Sequence, residues 1–267
     1  MSLEDFPGFD QVVRLRLAAV VDQLAAEFEG VHDCEHVRAI VDECSQQLLQ
    51  SGSVTAFVHI LAERFARERL RAQAQTSGQL AKALTEVLFV SLTGGGRAQI
   101  GAALLSRRAD GSVRVHSAGS AAAAEIDPNV RSVMEEIEID PTDAFTKPLT
   151  ADVLTDADVV VTMGRSVGAF EIPPTTQHID WRVGDPAGAP LAEVRRVRED
   201  IERRVDVLTA ELVAANPSSV TEQALPGAVD EGPSVCSGAA SQAKLPRVKR
   251  SSGRSRSCAN GTDWAGG

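Results

Sequence analysis

Residues 87–105, VLFVSLTGGGRAQIGAALL, set the narrowest limits on what this chain can fold into. Val87–Val90 is an apolar run too short for a buried helix and is bounded by a turn signal, so it reads as a strand buried on both faces. Ser91 closes the run, three consecutive glycines follow, and the helical spacing of AQIGAALLSRR (98–108) begins at once. A strand, a glycine turn and a helix in immediate succession form the start of a crossover unit, which calls for a parallel partner strand.

Suitable partners follow. VRVHSAG (113–119), DVVVTMG (158–164) and HIDW (178–181) read as strands, PNVRSVMEEI (128–137) as a helix, and AEVRRVREDIERRVDVLTAELVAA (192–215) as a long closing helix. The expected fold class is α/β, a four-stranded parallel sheet with flanking helices over residues 85–215. Ahead of the Thr76-Ser77-Gly78 break the period is helical throughout. Asp10 caps a first helix carrying Val13, Leu17, Val20, Val21, Leu24 and Phe28, ended by Gly30. Asp33 opens a second with Val37, Ile40, Val41, Cys44 and Leu48, stopped by Gly52. A third, from Ser53, places Val54, Phe57, Val58, Leu61, Phe65 and Leu70 beneath an arginine-rich face. Residues 1–78 are therefore expected to form an antiparallel three-helix bundle. From residue 216 to 267 Ser, Pro, Gly and Ala dominate without a hydrophobic period, the composition of a disordered tail.

At 267 residues the chain can bury two such cores. No apolar run approaches the roughly 18 to 20 residues that span a bilayer. The start, MSLEDFPGFD, lacks a basic then apolar leader, so a cytoplasmic protein without a membrane partner is expected. Cys34, Cys44, Cys236 and Cys258 show no framework spacing, and structural disulfides are not expected. The net charge of −10 argues against a general nucleic-acid binder. The tail carries +2, so the body carries −12 and any anion site must concentrate positive potential locally. The tail's KLPRVKRSSGRSR offers at most weak contact with nucleic acid or an acidic partner, and a solvated tail is the favoured reading.

The glycine turn can serve as an anion cradle. Backbone N–H groups in such a turn point inward, and the helix behind adds partial positive charge. Arg97, in the helix's first turn, supplies a planar fork that matches phosphate or arsenate oxygens. Three glycines alone also suit an ordinary strand-to-helix turn, with Arg97 paired to a carboxylate.

The spacing from Ser91 to Arg97 resembles the Cys-x5-Arg loop of the low-molecular-weight tyrosine phosphatases and their thiol-dependent arsenate reductase relatives. The similarity extends from about Val87 to Leu212. It includes Gly96-Arg97, Gln99, Ala102–Leu105, Ser117-Ala118-Gly119, Lys147-Pro148-Leu149, Val159–Gly164 and Trp181. Asp185-Pro186-Ala187-Gly188 is similar to the family's aspartate-proline segment, which carries the general acid; by itself an Asp-Pro pair also suits a plain turn. LAERFARERL (61–70) resembles the third helix of a three-helix domain fused ahead of the reductase in actinobacterial members. There the fused domain looks like an accessory or dimerisation element, and mycothiol supplies the reducing thiol. The resemblance thus implies an oxyanion site made of Thr93, Gly94, Gly95, Gly96, Arg97 and Ala98, catalytic positions at Ser91, Arg97 and Asp185, and a homodimer through the bundle.

Ser91 departs from that pattern, because the family has a cysteine thiolate there. A thiol at a helix N-terminus beside a cation ionises readily, with a pKa of roughly 3.5 to 7.5. A serine hydroxyl lies near water's ~15.7, so on the order of one in 10⁸ to 10⁹ is ionised at neutral pH. Activation needs an adjacent base, and this stretch offers none. Ala98 replaces a serine that supports the thiolate, and Gly94 replaces a loop-ordering asparagine. Arsenate reduction also needs a sulfur–arsenic bond and a recyclable thiol. Met163-Gly164 is followed by Arg165-Ser166-Val167 without a second cysteine cluster, and no cysteine lies between Cys44 and Cys236.

Among the remaining candidates, His32, Cys34 and His36, with Cys44 and His59, invite a metal, but residues two apart on a helix do not converge. Cap or core roles are preferred, and no metal is assigned. His116 and His178 lack a paired nucleophile and are read as packing residues. The expectation is an arsenate reductase-like or phosphatase-like protein that is catalytically impaired and retains its oxyanion loop for phosphate or arsenate. No bound cofactor is expected, with mycothiol or another thiol as reductant if the chain is active. One alternative is an active enzyme using a thiol from elsewhere, Cys34 or Cys44. The other is a helical interaction module.

Overall fold

The computed structural model describes residues 8–51, 57–121, 126–139, 145–164 and 170–215. Gly52, Val54, Arg165–Val167 and the whole segment after Ala215, with Cys236, Cys258 and the basic cluster, lie outside the described residues.

Three helices come first: α1 (Gln11–Glu27), α2 (Cys34–Gln50) and α3 (Val58–Thr76). Asp10 caps α1 by accepting from the amides of Val12 and Val13, and Asp33 caps α2 through His36. These caps satisfy amide groups that a helix start leaves unpaired. Gln23 meets Glu63 while Glu27 meets Arg67, so α1 and α3 run in the same direction. His36 meets Gln73 while Cys44 meets Arg69, so α2 runs against α3. Leu17, Leu24, Val37, Val41, Cys44, Leu48, Phe65 and Leu70 fill the core between them. Cys34 is disulfide-bonded, which corrects the expectation that no cysteine is paired, whereas Cys44 is a free buried thiol.

The second part runs β1 (Thr85–Ser91), α4 (Arg97–Ala109), β2 (Val113–Gly119), α5 (Pro128–Glu135), α6 (Ala151–Asp156), β3 (Val159–Met163), β4 (Gln177–Trp181) and α7 (Leu191–Ala215). The four strands form one parallel sheet in the order β2-β1-β3-β4. The short helix α6 has no counterpart in the periodicity of the sequence. Its six residues are too few to display a helical repeat.

Alternation along β1 divides the sheet into two faces. Val87 and Phe89 join Val159, Val161 and Met163 under α4, α5 and α7. Leu88 and Val90 join Val160 on the opposite face, where Val153 and Leu154 of α6 and Ala72 of α3 cover them. Helix α3 therefore serves two cores. Its residues up to Leu70 fill the bundle, and Ala72, two residues further on and so on another face of the helix, packs against the sheet.

Candidate functional site

Parallel register brings Ser91 level with Gly119 of β2 and Met163 of β3, at the carboxyl end of the sheet. Crevices at this end are where open parallel sheets bind ligands. From Ser91 the chain loops through Leu92–Gly96 and enters α4 at Arg97. Gly96 caps α4 without a side-chain hydrogen bond, so the first amides of the helix are not occupied by a capping side chain. Gly94 adopts φ +67°, and its N–H donates to Ser91 Oγ over 3.2 Å. Ser91 is 1% exposed, and among the described residues no carboxylate, imidazole or amine hydrogen-bonds its hydroxyl.

Arg97 leaves the loop side of the helix nearly buried. It donates from Nη1 to the carbonyl of Val183 and from Nη2 to Asp185 Oδ2, both over 3.3 Å. Gly164 lets it pass, because a Cβ there would lie 2.6 Å from Nη1. Asp185 also accepts from the amide of Ala187, and its side chain is 59% exposed, so water screens the ion pair with Arg97. A cavity of about 290 Å³ is bounded by Thr93, Gly95, Gly96, Arg97, Asp127 and Asp185. A second, of about 600 Å³, opens beyond Arg97 against Gly164, Asp180 and Arg182. The structure thus brings Thr93, Gly95, Gly96, Arg97 and Asp185 to one cavity, with Ser91 and Ala98 buried at either end of the loop.

Both parts of the fold are similar to known proteins. Residues 86–218 match the family described as low molecular weight phosphotyrosine protein phosphatase. Residues 17–74 match one described as protein-tyrosine-phosphatase-like, N-terminal domain. The chain is 31% identical over 131 residues to a putative arsenate reductase of Halobacterium salinarum, covering 47% of this chain and 91% of that one. The low-molecular-weight phosphatase family is the one to which this chain belongs. An arsenate reductase of Bacillus cereus strain Q1 is 36% identical over 93 residues, which cover 34% of this chain and 69% of the relative. The solved structure of a Corynebacterium glutamicum thioredoxin-dependent arsenate reductase superposes with a TM-score of 0.68 at 33% identity. That match spans 75% of this chain and 98% of the other, and so takes in more than the phosphatase-family sheet.

The remaining candidate residues fall away from the loop. Cys44 is buried in the bundle core, and burial pushes its thiol up to about 12 despite Arg69, whose Nη1 is 3.7 Å from Sγ. His32 contacts the carbonyl of Leu70 and His36 contacts Gln73, while His178 contacts Thr162 Oγ1 on the neighbouring strand. His116 does more than pack. Its Nδ1 lies 2.7 Å from Glu68 Oε1 and its Nε2 lies 2.8 Å from Glu86 Oε2, so it bridges a carboxylate on α3 and one on β1. Burial would lower its pKa, but Glu68 and Glu86 raise it to about 9. Lys147 reaches the second oxygen of Glu68 at 2.5 Å. Burial by itself would raise the Glu68 carboxyl, and Lys147 and His116 instead hold it at about 2. Sequence reading missed this buried charge cluster, whose one local sign was Glu86 inside the buried strand β1.

Proposed function

We propose that this protein is an arsenate reductase-like member of its family that binds phosphate or arsenate in the Ser91–Arg97 loop but is catalytically impaired. One observation carries the reading. Ser91 lies where the loop begins, and its hydroxyl meets the amide of Gly94 rather than any base. The cradle amides and a guanidinium with two of its five donors engaged by Val183 and Asp185 suit an oxyanion. The hydroxyl does not suit the chemistry, since reduction requires sulfur to bond arsenic and, among the described residues, no base contacts it. Asp185 borders the same cavity, at the position where the family resemblance puts the general acid, yet without an attacking atom there is no leaving group to protonate. A substitute thiol within the described residues is disfavoured, because Cys44 is sealed in the bundle and Cys34 is disulfide-bonded.

The test is arsenate reduction and phosphomonoester hydrolysis by the natural chain and by Ser91→Cys. Mycothiol and thioredoxin are each supplied as reductant, the latter because the C. glutamicum neighbour is named thioredoxin-dependent. The natural chain is expected to bind phosphate and arsenate in a calorimetric titration while turning over neither substrate. Ser91→Cys is expected to restore at least a burst of chemistry. Turnover by the natural chain overturns the impairment. Absence of heat on titration overturns the oxyanion site and leaves the bundle as an interaction module.

A further inference from the structure

We propose that Glu68, on helix α3 of the bundle, is a positioning residue for the oxyanion loop, acting through Lys147 and Gly119. The inference rests on reading Ser91–Arg97 as the anion cradle. The path runs through contacts with little slack. Gly119 ends β2 in register with Ser91, and the crest of the loop lies directly on it. A Cβ at Gly119 would stand 2.7 Å from the carbonyl carbon and oxygen of Thr93, and a Cβ at Gly94 would stand 2.7 Å from the Gly119 nitrogen. Two backbones in such contact have no side chain between them to absorb a displacement, so the height of Gly119 sets the height of Thr93 and Gly94.

Beyond its pairing with β1, Gly119 is tied to a second segment. Its N–H donates to the Lys147 carbonyl and its own carbonyl accepts from the Leu149 amide, both over 2.9 Å. The side chain of Lys147 is 8% exposed, passes 5.1 Å from the centroid of the Phe145 ring, and ends on Glu68. On the far side Glu68 meets His116, which meets Glu86, and Glu86 also meets Arg114. A buried ammonium is tolerated only when paired, so the position of Lys147 follows the carboxylate of α3. The bundle thereby holds the strap at residues 145–149, the strap holds Gly119, and Gly119 holds the amide of Gly94 against Ser91 Oγ. Residues that support a binding constellation in this way set how closely its donors match their ligand.

The experiment compares the full chain with Glu68→Gln, which keeps shape and removes charge, and with Gln73→Ala. Gln73 bonds Asp152 in the same α3 seam and His36 of α2, and neither contact reaches Lys147, so its loss loosens the packing around α3 without touching the strap. Two readouts are taken: titration with sodium arsenate and sodium phosphate, and amide hydrogen exchange at Gly94, Gly119 and Leu149. Glu68→Gln is expected to weaken both anions by about tenfold, the low end of what losing an outer supporting partner costs a bound ion. It is also expected to speed exchange at Gly94 and Gly119, whereas Gln73→Ala matches the parent in both readouts. Unchanged binding and exchange in Glu68→Gln overturn the proposal, and equal changes in the two variants overturn it as well by reducing Glu68 to a seam residue. If the parent binds neither anion the cradle reading fails separately, and exchange alone then decides whether Glu68 positions the loop. Should Glu68→Gln fail to fold, Glu68→Asp, which keeps the charge and draws it back by one methylene, carries the same comparison.

Discussion

Arg69 and Arg97 are both nearly buried and both face a carboxylate, and each is associated with a residue of nucleophile type. Arg69 lies beside Cys44, and Arg97 ends the loop that Ser91 begins. Arg69 is engaged at both ends of its guanidinium. Its Nε is 2.8 Å from Asp152, its Nη1 is 3.1 Å from Glu43, and its guanidinium carbon lies over the Phe65 ring, 5.9 Å from the centroid. Arg97 makes two contacts of 3.3 Å, one of them to a mostly exposed aspartate, and borders two cavities. The difference separates a cation that holds the fold from one that the fold leaves open to a ligand. It also shows the parts of a thiolate site in two places. The bundle has a thiol and a cation without access, and the loop has access and a cation without a thiol.

Substitution of one member of each ion pair breaks or sharpens this contrast most strongly. Asp152→Ala leaves the nearly buried Arg69 with the half-exposed Glu43 as its remaining ion-pair partner and is expected to cost about 2–3 kcal/mol of unfolding free energy by urea titration. Arg97→Ala removes a cation whose partner is solvated and is expected to cost about 1 kcal/mol or less. Its effect appears instead in phosphate or arsenate affinity, which should fall by roughly ten- to a hundredfold with the loss of charge-assisted hydrogen bonds. Equal destabilisation by the two substitutions would make Arg97 a structural cation and erase the distinction.

A smaller effect comes from the cluster next to Arg69. The imidazole of His116 has its pKa raised to about 9 in the fold, so its contribution is full below the ordinary value of 6.5 and is lost as pH rises through 9. Glu68 is depressed to about 2, so its contribution is present above 4.5 and is lost only as pH falls toward 2. Glu68, Glu86 and Lys147 are the charged groups that face the imidazole, and Arg114 pairs with Glu86 behind it. The melting temperature of the parent should fall by about 5 °C from about pH 7 to about pH 9.5, and His116→Gln should flatten that limb. A slope that survives His116→Gln would assign the alkaline loss to another group.

What the sequence made legible follows from how local each signal is. The strand, glycine turn and helix at 87–105 are contiguous, so their periodicity, together with Ser91 and Arg97, could be read directly. The caps at Asp10 and Asp33 were equally local. The shared use of α3 was not legible. Ala72 and Ala74 carry no hydrophobic signal strong enough to mark a second buried face, yet both are buried, Ala72 against the sheet. The pairing of Glu68 with Lys147 and His116 was hidden for a related reason. Its members are far apart in the chain, and a lone charged residue on an amphipathic helix ordinarily reads as part of the solvated face. The arginine contrast escaped the sequence as well, since Arg69 belongs to a run that looks like an exposed basic stripe.

Cys44 provides the finest test of the comparison, because there the expected result is near inactivity. A cation beside a thiol normally lowers its pKa and makes it reactive. At Cys44 burial is the larger influence, and it pushes the thiol from 9.0 up to about 12 despite the neighbouring arginine. The sulfur is therefore neutral at physiological pH and shielded by Leu48, Phe65 and the rest of the bundle core. Alkylation of native protein near neutral pH, followed residue by residue by mass spectrometry, should modify Cys44 only as fast as the bundle opens. Cys44→Ala should leave oxyanion affinity unchanged and cost about 1 kcal/mol of stability. Rapid labelling of Cys44 in the folded chain would give Arg69 a thiolate partner, remove the contrast between the two arginines, and return the bundle to consideration as the source of the missing sulfur.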